Sequence, residues 1–329
     1  MTNIPCKTKI YFTILFLLIS FSSFAQNMVP VEDIHIRDPF VLVDQSTKTY
    51  YLYKTASVKG DQGENLGGVE VLKSKDLKNW TQPKQVFTVP ADNWITGPVW
   101  APEVHSYKGK YYLFATLNSS IIWKKSSADG RNYTFRGTQI FWSNSPEGPF
   151  KAFDVLPHTP MDEMALDGTL YVENGIPYMV YCHEWLQVID GEMKVVQLKD
   201  DLSAPVGNPI RLFCASAAPW STEDPKNPIH VTDGCFLYKT KTGKLLMIWS
   251  SFMNGSYAIG VAESATGRIL GPWKQNTEPL FKKDGGHGMI FKDLEGRLRL
   301  VIHSPNVGPN ERAKFFELED TGDTMILKE

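Results

Sequence analysis

The sequence is short of cysteine, of net charge and of long apolar runs. Four cysteines in 329 residues cannot build the dense disulfide framework of a small secreted scaffold. Lys and Arg number 34 against 36 Asp and Glu, a formal charge of -2, which excludes a protein held mainly to nucleic-acid phosphates. Past the first two dozen residues no stretch approaches the length of a membrane span. There is no long amphipathic helical pattern, no Gly-rich phosphate loop, no Gly-x-Ser-x-Gly elbow and no basic aromatic stripe. What the chain has in quantity is apolar and aromatic side chains, 42% and 12%, too many for a disordered polypeptide. The length holds two ordinary domains or one large all-β domain.

Residues 1–25 read as a signal peptide. Lys7 and Lys9 start it, Ile10 to Phe21 is almost wholly apolar, and Ser23-Phe24-Ala25 supplies a small-x-small cleavage site. A retained N-terminal anchor is the alternative. Cleavage predicts an exported product, periplasmic or extracellular, with no membrane attachment. Residues 26–329 keep Cys182, Cys214 and Cys235, an odd number that cannot all pair internally. Cys182 and Cys235 sit in apolar runs, where a free cysteine acts as a small hydrophobe. One disulfide remains open on sequence alone.

Internal similarity decides the architecture. A polar turn, an apolar strand, a Gly or charged turn and an aromatic-rich strand recur in order. The heads of the copies are Ile36-Arg37-Asp38-Pro39-Phe40, Trp100-Ala101-Pro102-Glu103, Leu166-Asp167-Gly168, Thr232-Asp233-Gly234 and Gly285-Gly286-His287-Gly288. They recur about every 60 residues, somewhat longer than common propeller repeats. Short β-branched and aromatic runs broken by Gly, Lys, Asp or Asn read as hairpins. Four strands per copy, repeated radially, predict an all-β fold, a five-bladed β-propeller that uses residues 26–329 as one domain. A β-sandwich is the alternative, but it gives no reason for polar residues to recur at the strand heads. The last residues, about 307–329, are expected to close the ring or cover its base.

In a propeller the first strand of each blade lines the axis, so strand heads converge on one pocket. The expected set is Asp38, Glu103, Asp167, Asp233 and His287. The second strand runs back to the same face and brings His183-Glu184-Trp185 and His303. Carboxylates, histidines and aromatics make a poor core and a good site for carbohydrate chemistry.

These residues resemble glycoside hydrolase family 43, five-bladed propeller enzymes that invert at the anomeric carbon. The resemblance rests on Arg37-Asp38-Pro39-Phe40, Trp100-Ala101-Pro102-Glu103, Asp167 and Gly286-His287-Gly288. Two outer-strand tags add to it, Ser145-Pro146-Glu147-Gly148-Pro149-Phe150 and Gly271-Pro272-Trp273. It implies three acids: Asp38 as general base, Asp167 as a residue that raises the acid's pKa, and a glutamate general acid. Inversion leaves room for a water, so base and acid carboxyls are expected about 6.5–9.5 Å apart.

The third acid departs from the family, which usually carries Glu-Gly-Pro at the head of blade four. Here that place reads Asp233-Gly234-Cys235. Asp233 and Glu184 are the candidates, with Glu223 a distant third; the literal Glu-Gly-Pro at Glu147 belongs to an outer tag. Arg37, Phe40, Trp100, Glu103, Trp185 and His287 are expected to bind substrate. Arg37 could hold the base ionised, and Glu103 could hydrogen-bond sugar or fix an arginine. No cofactor is required. The resemblance allows a calcium or sodium ion in the central channel beside His287, through water. His183, His287 and His303 lack zinc-like spacing. The implied activity is exo-hydrolysis of α-L-arabinofuranosyl, β-D-xylosyl or related galactofuranosyl and galactosyl residues of plant polysaccharides. A non-catalytic sugar-binding propeller and a propeller phosphorylase are the alternatives.

Overall fold

The computed structural model describes residues 28–60, 63–90, 94–126, 130–224 and 228–328. The segment expected as a signal peptide lies outside them. Five antiparallel sheets follow one another along the chain and form the five blades of a propeller. Blade one runs outward through Phe40–Asp44, Thr49–Lys59 and Asn65–Ser74, with Asn79–Trp80 and Lys84–Thr88 both on the last strand's free edge. Blade two is Val99–Tyr107, Lys110–Lys125, Asn132–Ser143 and Lys151–Ala152. Blade three is Ala165–Glu173, Ile176–His183, Glu192–Leu198 and Pro205–Cys214. Blade four is Asp233–Lys239, Leu245–Met253, Ser256–Ser264 and Trp273–Gln275. Blade five is Gly286–Lys292, Leu298–Ser304, Arg312–Asp320 and Met325–Leu327.

Of the two roles expected for residues 307–329, closing the ring or covering its base, the contacts fit the first: the segment holds the two outer strands of blade five, and its early residues meet the N-terminal segment. Val29–Pro30 adds a strand to the edge of blade one. His35 then bridges to Arg312 of blade five, and the Ile36 amide donates to the Glu311 carbonyl at 3.2 Å. One short segment thus ties the first and last blades.

Strand alternation explains the apolar runs. In Leu245–Met253, Leu245, Met247 and Trp249 enter the cluster shared with blade three, while Leu246 and Ile248 enter the one shared with blade five. In Ile176–His183, Met179 and Tyr181 face blade two, and Val180 and Cys182 face blade four. A middle strand buried on both faces reads as a continuous apolar run because successive side chains point to opposite sides. Cys182 and Cys235 are buried in the cluster of blades three and four, and all three described cysteines are free thiols.

The inner strands share a further feature. Asp38, Ala101, Asp167, Gly234 and His287 all have positive φ, between 34° and 57°. In blades two to five this residue sits where the ladder to the second strand slips. A bulge here re-aims one side chain towards the axis. The second strands of blades one and two also overshoot the heads. Tyr53 pairs with Phe40 and Leu117 with Val99, so Lys54–Lys59 and residues 118–125 rise past them as a wall on that side. In blade three His183 pairs with Ala165, so the strand ends level with the head.

Candidate active site

The positive-φ strand heads bring Asp38, Asp167 and His287 together. The Nδ1 of His287 lies 3.2 Å from Asp38 Oδ1 and 3.7 Å from Asp167 Oδ2. Each backbone is pinned from the side: the Asp167 amide donates to Thr116 Oγ1 at 2.8 Å and the His287 amide to Ser250 Oγ at 2.8 Å. The Asp38 amide donates to His303 Nδ1 at 3.3 Å, and His303 Nε2 in turn meets Asn306 Oδ1 at 3.2 Å. The same Nδ1 lies 3.2 Å from Asp38 Oδ1, so His303 faces both the amide and the carboxylate of Asp38.

Charge separates these groups. Burial pushes the Asp38 carboxyl up, but His287 and Arg37 hold it well below the ordinary carboxylate range. Burial pushes Asp167 up; His287 opposes this in part, and the charges of Asp233 and Asp38 carry it well above that range. Burial alone would lower His287, yet Asp38, Asp167 and Asp233 more than offset it and push it up to about 10. Asp38 and His287 are thus pushed towards their charged forms, and Asp167 towards its neutral one.

Asp233 precedes the bulge residue Gly234 and meets the site from a different angle. Tyr257 Oη donates to Asp233 Oδ2 at 2.5 Å, and the Gly234 amide donates to Asp167 Oδ2 at 3.2 Å. A Cβ on Gly234 would stand 2.3 Å from Cγ of His287, so only glycine admits the histidine there.

Arg37 lies on the cleft wall and donates to Glu311 Oε1 at 2.6 Å and Asn306 Oδ1 at 2.8 Å, with its Nε 3.7 Å from Asp38 Oδ2. Asp233 and Tyr257 also act on Arg37, so Asp233 belongs to the same charged group as the expected base.

Glu184 reaches the same cleft from blade three. It follows the second strand of blade three and precedes the single helical turn Trp185–Val188. It is 3% exposed, and its carboxylate meets the Arg136 guanidinium. Burial, helped by the charge of Asp233 and opposed by Arg136, pushes its carboxyl up to about 7. The negative charge that raises it is that of Asp233, not the Asp167 expected from the sequence.

These residues line a cleft of about 480 Å³, a normal size for a small-molecule site. Arg37, Asp38, Asp167, Asp233 and Glu184 face it, with Trp100 and Trp185 as aromatic walls. His287 is buried beneath the carboxyls. Two expected binding residues do not line it. Phe40 is buried with its ring centroid 4.9 Å from that of His105. Glu103 is buried and accepts from His105 Nε2 at 2.7 Å, so its partner is a histidine and not an arginine. The bulge before Glu103 shifts its register, and the side chain turns into the blade. His183 turns to Glu192 and Gln187, away from the cleft. Glu223 is exposed in a loop, and Glu147 is held by Lys73 and Lys84, each at 3.0 Å.

Three site residues escaped the sequence reading: Tyr257, Arg136 and Glu311. Tyr257 and Arg136 lie near the starts of third strands. The hairpin that returns a second strand to the site face begins the third there, so that position was the missed signal.

Asp167, Asp233 and His287 bring donor atoms within 4.8 Å of one another. Two carboxylates and an imidazole fall far short of the six to eight oxygens that calcium takes. An ion beside His287 would therefore need waters to complete its shell, in line with a contact made through water.

Fold and cleft together define a propeller glycosidase, with carboxyl groups of widely separated proton affinity on one face. Residues 28–319 match Glycosyl hydrolases family 43, and the chain belongs to that family. An endo-arabinase from Bacteroides thetaiotaomicron VPI-5482 has a similar structure, 40% identical, with a TM-score of 0.77 over 88% of this chain and 96% of that one. The extracellular endo-alpha-(1->5)-L-arabinanase 1 of Bacillus subtilis is 26% identical over 46% of this chain. The extracellular exo-alpha-(1->5)-L-arabinofuranosidase ArbA of Cellvibrio japonicus is 24% identical over 53%. The matches span about half the length of these two enzymes, 44% and 46%.

Proposed function

We propose that the chain is an exported inverting glycosidase that cleaves α-L-arabinofuranosyl linkages of arabinan, with Asp38 as general base and Glu184 as general acid. The observation that carries this is the split between the two carboxyls. Asp38 is held ionised and Glu184 is pushed up to about 7 in one cleft. A base must be ionised to take a proton from water, and an acid must be protonated to give one to the leaving oxygen. Asp233 is bound up with Arg37 and Tyr257 on the side of the base, which leaves Glu184 to serve the leaving group. The water attacks the anomeric carbon from the face opposite the departing sugar, so the configuration inverts.

Asp167 and His287 shape the base. His287 and Arg37 keep Asp38 ionised, and Asp167, pushed towards its neutral form, competes less for them. Trp100 and Trp185 offer aromatic faces to the C–H faces of sugar rings.

The cleft continues into a groove of about 520 Å³, with which it shares Lys54, Thr55 and Pro98. Ser57, Asn65 and Thr96 line that groove, polar groups suited to sugar hydroxyls. A site that runs on past the acids favours a polymer and internal cleavage over the exo action expected from the sequence. Export rests on the N-terminal segment and on the word extracellular in the names of relatives. The test is a digest of linear and branched arabinan, xylan and galactan, with product lengths followed in time. Early oligosaccharides from arabinan support the proposal; arabinose alone restores exo action, and turnover of xylan or galactan only overturns the substrate.

A further inference from the structure

Arg136 is a half-buried cation with no place in the mechanism so far, and it packs behind the cleft wall. It lies in the third strand of blade two and pairs through a parallel bridge with Met164. The Met164 carbonyl accepts from the Glu184 amide at 2.7 Å, so one backbone junction fixes both residues. The guanidinium is held at three points. Its Nη1 meets Glu184 Oε2. Its Nε donates to Asn118 Oδ1 at 2.6 Å. Its Cζ stands 4.5 Å from the ring centroid of Trp100. Asn118 is fixed in turn, since its Nδ2 donates to the Pro98 carbonyl at 2.9 Å.

Trp100, Pro98 and Glu184 line the cleft, and Arg136 does not. Arg136 sits behind these three, so its link to the chemistry runs through its neighbours. A planar guanidinium can pair with a carboxylate at one edge and lay its plane on an aromatic face at once; an ammonium brings the charge without that plane.

We propose that Arg136 is the positioning residue of the general acid, locking Glu184 Oε2 and bracing Trp100 from behind so that acid and sugar-stacking wall move as one unit. The inference rests on Glu184 being the acid. With Oε2 taken, Oε1 is the oxygen left to hold and deliver the proton. The charge on Arg136 also restrains the proton affinity that burial gives Glu184. The charged groups facing Glu184 are Arg136 from blade two and Asp233 from blade four; His183 is turned to Glu192 and Gln187 within its own blade.

The test uses the whole chain with Arg136→Gln, Arg136→Lys and Glu184→Gln. Glutamine removes the charge, so the alkaline limb of kcat/KM is expected to move up by about 1–3 pH units, the range for loss of an adjacent opposite charge. Lysine keeps the charge but not the stacked plane, so the limb should stay near that of the wild type while KM for an arabino-oligosaccharide rises. A purely structural role would move neither limb nor KM apart from stability. Carboxyl ¹³C NMR on glutamate-labelled protein gives a readout free of turnover: the resonance lost in Glu184→Gln should titrate higher in Arg136→Gln.

If Glu184→Gln keeps wild-type dependence on the leaving group, the acid assignment falls. If Glu184→Gln behaves as an acid variant but Arg136→Gln leaves both limb and resonance unmoved, the role of Arg136 alone falls. Should Arg136→Gln fail to fold, Arg136→Lys decides: an unchanged KM overturns the proposal.

Discussion

Asp38 Oδ1 and His287 Nδ1 lie 3.2 Å apart, and the two residues hold equivalent places at the heads of blades one and five. This pair joins the first blade to the last and ties the ionisation of the site to the stability of the ring. His287 is raised to about 10 in the folded chain, against about 6.5 for an unfolded histidine. A raised pKa means the folded state holds its proton more tightly. The stabilisation is complete below about pH 6.5 and is lost as pH rises through about 10. The difference in Tm between wild type and His287→Gln should therefore be large at pH 6 and shrink towards pH 10. Thermal melts across that range check it, and a constant difference would show that the pair contributes nothing through protonation.

Asp38→Asn removes the base and keeps its shape. General-base catalysis is worth about 10²–10⁴-fold, so kcat on arabinan should fall by that order, and Tm should fall as well because His287 and Arg37 lose the charge that they face. ¹H NMR of the first-formed product should show the inverted anomer for the wild type. A retained anomer would mean that the attacking group is not a water activated by Asp38.

Activity requires Asp38 ionised and Glu184 protonated, which sets the pH profile. The acid limb should lie below the ordinary carboxylate range, because His287 and Arg37 hold Asp38 down. The alkaline limb should fall near 7, where Glu184 gives up its proton. Glu184→Gln should abolish that limb and slow natural substrates by about 10²–10⁴-fold. An aryl arabinoside with a good leaving group needs little protonation and should be spared. The same behaviour in Asp233→Asn, with Glu184→Gln silent, would transfer the role to Asp233.

The five blades were legible because burial on both faces writes itself into the chain. Runs such as Leu245 to Trp249 and Met179 to Cys182 alternate between two interfaces and stay apolar throughout. The heads were legible because a positive-φ bulge needs an unusual local sequence, repeated in each copy. The same bulges misled at Glu103, since an extra residue in one strand reverses which face the next side chain takes. Arg136 and Tyr257 carry no periodic cue. Each is one polar residue near the start of a third strand, and only the closed ring shows that Tyr257 reaches Asp233 and Arg136 reaches Glu184.

Gly234 offers the sharpest test of how the fold builds the site. Its φ is +34°, and an added Cβ would meet the His287 ring at 2.3 Å. Gly175 makes the control: its φ is +83° and an added Cβ would meet nothing within 4 Å. Alanine at either position costs backbone strain beyond about 1 kcal/mol, which lowers Tm by a few degrees, about 2–4 °C per kcal/mol in a chain of this size. Only at Gly234 does the methyl also displace His287, and with it the contacts to Asp38 and Asp167. Gly175→Ala should thus lose stability and keep kcat. Gly234→Ala should lose both, with its acid limb moved up as Asp38 loses the imidazolium. If the two variants show the same kcat and the same acid limb, the imidazolium does not govern the base.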